Sequence, residues 1–112
     1  MTYTGSTTWT AKEGRYNVDY VEPLGIPGVA RQLTATSSSA NTALTTSISR
    51  ISIRAVGADI RYRVGAGAQT ATATSHFIAN GERIDIAVPQ NPNIAVLRNG
   101  TTDGTLEVTE LI

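Results

Sequence analysis

Apolar and polar positions alternate with period two along most of the chain, the pattern of strands with one face turned to a core. Val29, Arg31, Leu33 and Ala35 alternate with Ala30, Gln32, Thr34 and Thr36. Ile51, Ile53 and Ala55 alternate with Arg50, Ser52 and Arg54, and after Gly57-Ala58 the residues Ile60, Tyr62 and Val64 alternate with Arg61 and Arg63. Two such runs across a short Gly-containing break predict an antiparallel hairpin with an apolar face and an arginine face. His76-Phe77-Ile78 leads into Asn80-Gly81, a pair that favours a tight hairpin turn because both positions tolerate positive φ. Ile84, Ile86 and Val88 follow, alternating with Arg83, Asp85 and Ala87. Pro89 to Pro92 interrupts the ladder, Ile94 to Leu97 is a short apolar run, and Leu106 and Val108 form a last strand beyond the turn at Asn99 to Gly104.

Between these runs, residues 36–47 are rich in Ser, Thr, Asn and Ala and predict a surface loop, as does the small-residue stretch Gly65 to Thr74. Residues 1–28 differ from the rest. Pro23-Leu-Gly-Ile-Pro-Gly28 cannot be helical, while Tyr16, Val18 and Tyr20 alternate with Arg15, Asn17 and Asp19 as one half-exposed strand. The reading is an extended N-terminal arm over 1–28 and a β-sandwich body over 29–112. Seven or eight strands with turns every eight to twelve residues and no helical period predict an all-β fold, a small jelly-roll-like β-sandwich.

Length and composition narrow the picture. The 112 residues suit one domain, and a chain of this size buries roughly two-thirds of its unfolded surface. Its core is aliphatic and thin, with one Trp and one Phe. Nine basic residues balance nine acidic ones, which argues against a dedicated nucleic-acid binder, because that task calls for a basic excess. No cysteine is present, so disulfides and thiolate metal sites are excluded. No apolar run reaches membrane-spanning length. Met1 to Thr10 lack the basic start and apolar stretch of a secretory signal, and the chain reads as made and used in a cytoplasm or in a particle assembled there.

Candidate chemistry is sparse. His76 is the single histidine, and no serine sits in a Gly-x-Ser-x-Gly elbow, so a nucleophilic triad is not expected. The carboxylates (Glu13, Asp19, Glu22, Asp59, Glu82, Asp85, Asp103, Glu107, Glu110) stand isolated and offer no metal-ligand spacing. Gly65-Ala-Gly67 lacks the Lys-Ser/Thr of a phosphate loop, and Asn99-Gly100-Thr101 matches a glycosylation sequon in what is more simply a turn. No enzyme activity, cofactor or metal is expected.

Eight of the nine basic residues are arginine, the cation preferred where a planar fork meets carboxylates at an interface. Arg50, Arg54, Arg61 and Arg63 fall on the polar side of the predicted hairpin. They form a solvated face offset by Asp59 or Glu82, an interface to an acidic protein surface, or a contact to nucleic acid. Trp9, Tyr16 and Tyr20 are the candidate anchors of the arm, since Trp, Tyr and Arg dominate binding hot spots. The alternative is that they cover the open end of the protein's own sandwich.

Ile51-Ser-Ile-Arg-Ala-Val-Gly57, Ala71-Thr-Ala-Thr-Ser-His-Phe-Ile-Ala-Asn-Gly-Glu-Arg-Ile84, Ile94-Ala-Val-Leu-Arg98 and Gly104-Thr-Leu-Glu-Val-Thr-Glu-Leu111 together resemble small tailed-phage structural proteins. These include the head decoration, or cement, proteins of the staple-like type of phage epsilon-fifteen. The resemblance covers a little over half the chain and rests on strand and turn patterns. It implies a virion protein on the capsid exterior that clamps neighbouring major capsid protein subunits, self-associates as a dimer or trimer, and has no nucleic-acid or membrane partner. Two other readings remain: a tail-associated receptor- or carbohydrate-binding module, and a head–tail connector.

Overall fold

The computed structural model describes residues 25–112. The arm and its candidate anchors Trp9, Tyr16 and Tyr20 lie outside the described residues. Among the described residues eight strands form: β1 (Pro27–Ala35), β2 (Ala40–Ala43), β3 (Arg50–Val56), β4 (Ile60–Ala66), β5 (His76–Ile78), β6 (Arg83–Ala87), β7 (Pro92–Arg98) and β8 (Gly104–Leu111). They make two antiparallel four-stranded sheets, β1-β8-β3-β6 and β2-β7-β4-β5. β1 begins two residues before the expected start of the body. β2 lies inside the stretch expected to be a loop. Its sequence Ala-Asn-Thr-Ala has no apolar alternation, and as an outer strand it is held by β7 on one side.

The predicted β3–β4 hairpin does not form. β3 pairs with β8 and β6, whereas β4 pairs with β7 and β5. The Gly57 turn instead carries the chain from one sheet to the other. Asn80-Gly81 likewise makes a turn but no hairpin, since β5 and β6 belong to different sheets. Glu82 N–H donates to Ala79 C=O at 2.9 Å and only the glycine of the pair takes positive φ, +88°. That is the geometry of a type II turn, in which position i+2 favours glycine. The one sequential pair sharing a sheet is β4–β5, joined through residues 67–75.

The pairings nest: β1 with β8, β2 with β7, β3 with β6 and β4 with β5. Such an arrangement closes only when distant parts of the chain meet. The alternating residues supply the core between the sheets. Ile51, Ile53, Ile60, Ile78, Ile94, Val96, Leu106 and Val108 are all buried there. Burying aliphatic side chains of this kind contributes roughly 1.5–3 kcal/mol each. Gly104 opens β8 where a Cβ would lie 3.1 Å from the Ala58 Cβ and 3.2 Å from its backbone nitrogen, so the crossing loop can pass close to the strand.

Candidate functional site

Two outer faces, the turns at one end of the sandwich and one buried ion pair hold most of the polar chemistry of the described residues.

On the first sheet the outer face follows from the register. Gln32, Glu107, Arg54 and Arg83 form one cross-strand row, and Ala30, Thr109, Ser52 and Asp85 the next. Leu111, Arg50 and Ala87 form a third. Gln32 Nε2 donates to Glu107 Oε1 at 3.2 Å, Arg83 Nη1 donates to Ser52 Oγ at 2.9 Å, and Arg54 Nε reaches Gly81 C=O at 3.4 Å. Arg54 and Arg83 are direct register neighbours and both are exposed. Among the described residues neither joins an ion pair. Cross-strand neighbours lie about 5 Å apart, and like charges so placed destabilise the sheet.

Arg61 and Arg63 do not share that face. They point outward from β4 in the second sheet, so the four arginines expected on one surface divide into two pairs on opposite sides of the sandwich. The physical reason is the missing hairpin: the strands that carry them never pair. Arg61 is held in place, with Nε donating to Asn99 Oδ1 at 2.9 Å and Nη1 to Ser75 C=O at 3.1 Å. Its guanidinium also lies 4.8 Å from the centroid of the Phe77 ring, a cation–π contact. Arg63 Nε donates to Gln69 Oε1 at 3.0 Å. Among the ion pairs of the described residues, none joins Asp59 or Glu82 to the cluster. Asp59 Oδ1 accepts from Asn80 N–H and Glu82 Oε1 from Ala79 N–H, so both are spent on turns. Arg83, which the pattern placed only as a polar position, is the arginine that the fold sets beside Arg54. Nothing in the local sequence around β3 could have signalled a neighbour twenty-nine residues away.

The second sheet's outer face is roofed. The 67–75 segment folds across it, with Gln69 N–H donating to Asn41 Oδ1 at 2.9 Å and Ala71 N–H to Ser39 Oγ at 2.8 Å. Beneath it, Ala95 has no exposed surface and Asn93 is buried.

At one end of the sandwich the turns at Gly57–Asp59, Asn80 and Asn99–Thr102 line an open polar bowl of about 310 Å³. Its groups bind one another. Asn80 N–H donates to Asp59 Oδ1, Gly57 N–H to Asn80 Oδ1 and Asn99 N–H to Asp59 C=O. The bonds knit the three turns together. His76, on the edge strand β5, stacks obliquely beside Tyr62 with ring centroids 5.5 Å apart. The adjacent Ser75 Oγ accepts from Thr72 N–H in its own turn.

Glu110, isolated in sequence, is not isolated in the fold. It faces inward from β8 and is 1 % exposed. Its Oε2 accepts from Arg31 Nε (3.1 Å), Arg31 Nη2 (3.0 Å) and Thr45 N–H (3.0 Å). Burial pushes its pKa up. Hydrogen bonds from the Thr45 side chain and backbone, and the bond and charge of Arg31, more than reverse this, so the carboxyl titrates below the ordinary glutamate range. The cluster ties β1 and the β2–β3 connection to β8.

Among the described residues no group of three or more His, Cys, Asp or Glu could hold a metal ion. No family model, curated protein or solved structure matches this chain.

Proposed function

We propose that this protein is a structural component of a tailed-phage virion that decorates the capsid exterior and clamps neighbouring major capsid protein subunits. The observation that carries the reading is the outer face of the β1-β8-β3-β6 sheet. Among the described residues it is an uncovered polar surface on which Arg54 and Arg83 stand side by side with no carboxylate in an ion pair. An acidic partner surface would relieve that repulsion, and Arg forks pair with carboxylates in bidentate fashion. Arg50 lies on the same face and extends it, whereas Arg61 and Arg63, on the opposite side, are engaged by Asn99, Ser75 and Gln69 of the protein itself and take no part in this contact.

The strand order supports the same reading. Four nested antiparallel pairs divided between two sheets are what a long hairpin yields when rolled into a jelly roll, an architecture used by viral capsid domains. That order also agrees with the resemblance of the Ile51–Leu111 region to cement proteins. In this proposal the residues ahead of β1 form the arm, with Trp9, Tyr16 and Tyr20 as anchors on a neighbouring subunit. Many weak contacts repeated over a capsid multiply into firm attachment.

Co-sedimentation of the purified chain with expanded, undecorated heads of its own phage tests the proposal. Saturable binding at high copy number is expected, with loss of binding in the Arg54→Glu/Arg83→Glu variant. Absence from heads, with recovery at low copy in tails, would overturn it.

A further inference from the structure

The two sheets have four outer strands, and three of them are poor templates for further pairing. β2 has four residues, β5 three, and β6 five with Arg83 and Asp85 exposed on it. Short length and outward charge are the devices by which sheets discourage edge-to-edge association. β1 differs. It has nine residues, and from Ala30 to Ala35 it keeps unbroken register with β8. Among the described residues nothing pairs with its other side. Most of the strand is exposed, including Val29 at 47 %. Its single charge, Arg31, is turned to Glu110, and its single proline is the first residue.

We propose that β1 is a self-association edge, pairing antiparallel with β1 of a second copy of this chain about a two-fold axis at Gln32. The two β1-β8-β3-β6 sheets would then run on as one eight-stranded sheet.

The composition of the strand favours a second copy as occupant, because the strand is complementary to itself in this register. Centring on Gln32 sets Ala30 opposite Thr34 and Arg31 opposite Leu33 of the second copy, and exposed Val29 opposite Ala35. Polar outer positions then meet polar or small ones, and the inner positions remain aliphatic beside the Arg31 stem. Gln32 faces its own copy with an amide that is both donor and acceptor. Centring on Arg31 would oppose two like charges, and centring on Leu33 would leave Val29 beyond the paired run. Isologous two-fold contacts of this kind are the commonest way soluble chains associate. This pairing does not depend on the capsid reading, since it concerns free protein in solution.

The sequence contains no cysteine, so engineered thiols report on the register directly. Directly opposed residues in an antiparallel pair have Cα atoms about 4.5–5.5 Å apart, within the span of a disulfide. The experiment is sedimentation velocity on the full chain over a wide concentration range, with oxidation of Gln32→Cys, Ala30→Cys and Ala30→Cys/Thr34→Cys. All three positions are exposed, so the variants should keep the parent's urea midpoint. A concentration-dependent dimer is expected, cross-linked by Gln32→Cys and by the double variant but not by Ala30→Cys alone. A chain that stays monomeric throughout would overturn the proposal. A dimer that neither Gln32→Cys nor the double variant cross-links would overturn it equally, because association would then use another surface.

Discussion

The outer faces of the two sheets are built from similar strands and end in opposite conditions. β3 reads Arg-Ile-Ser-Ile-Arg and β4 reads Ile-Arg-Tyr-Arg-Val, each placing arginines outward around an apolar inner row. On the second sheet a long connection returns across the face, buries Ala95 and ties down Arg63 through Gln69, while the neighbouring turns hold Arg61. On the first sheet nothing among the described residues roofs the Arg54–Arg83 row. One face has been absorbed into the fold, and the other is uncovered among the described residues. The same residue type is therefore structural in one sheet and an interface candidate in the other, and the difference lies in what covers it.

Charging the covered face should break the comparison most severely. Ala95→Glu would bury an unpaired carboxylate under the 67–75 segment and should cost roughly 3 kcal/mol or more. Ala87→Glu, on an exposed position of the first sheet's outer face, should stay within about 0.5 kcal/mol. Urea denaturation of both variants measures the difference. Comparable midpoints would show that the segment does not seal the face.

Glu110 gauges the cost of a charge on the inner side. Glu110→Ala leaves Arg31 and the Thr45 N–H without their acceptor and should cost about 3 kcal/mol. Because the folded pKa lies below the ordinary 4.5, the unfolded chain binds the proton more readily. The stability contributed by the carboxylate is thus fully present above that value and is lost as pH falls from it through the folded pKa. Glu110→Gln should flatten this acid limb of the stability profile. An unchanged limb would place the acid sensitivity elsewhere.

A smaller effect is expected for the roof itself. Gln69→Ala removes the acceptor of Arg63 and two donations to Ala66 and Gly67 carbonyls. It should lower stability by roughly 1–2 kcal/mol and hasten proteolytic cleavage within 67–75. Smallest of all, Arg54→Ala and Arg83→Ala should each change stability by no more than about 0.5 kcal/mol. Marked destabilisation by either would mean that this face, too, is part of the fold's own packing.

The period-two pattern located β1, β3, β4, β6 and β8, short apolar stretches fell on β5 and β7, and Ile51, Ile53, Ile60, Ile84, Ile86, Leu106 and Val108 stand on the inner side that alternation assigned. β2 escaped because Ala-Asn-Thr-Ala shows no apolar alternation. The site was far less legible. Arg50 and Arg54 were placed correctly on an outer face, but Arg61 and Arg63 were assigned to that same face on the strength of a turn. A Gly-containing break between two amphipathic strands fits a hairpin and a crossing between sheets equally well. Only contacts with β8, β6, β7 and β5, far along the chain, separate the two.

Local alternation is enough to mark the described residues as all-β, to place most of their strands and to tell which side of each faces a core, because it is a direct consequence of the pleat. Which sheet each strand joins was decided by the tertiary structure alone. Alternation marks inside and outside but not the partner, and the partner emerges only when nested pairs such as β1 with β8 close over a shared core. The same closure turned Glu110 from an apparently solitary carboxylate into the buried acceptor that joins β1, β8 and the β2–β3 connection.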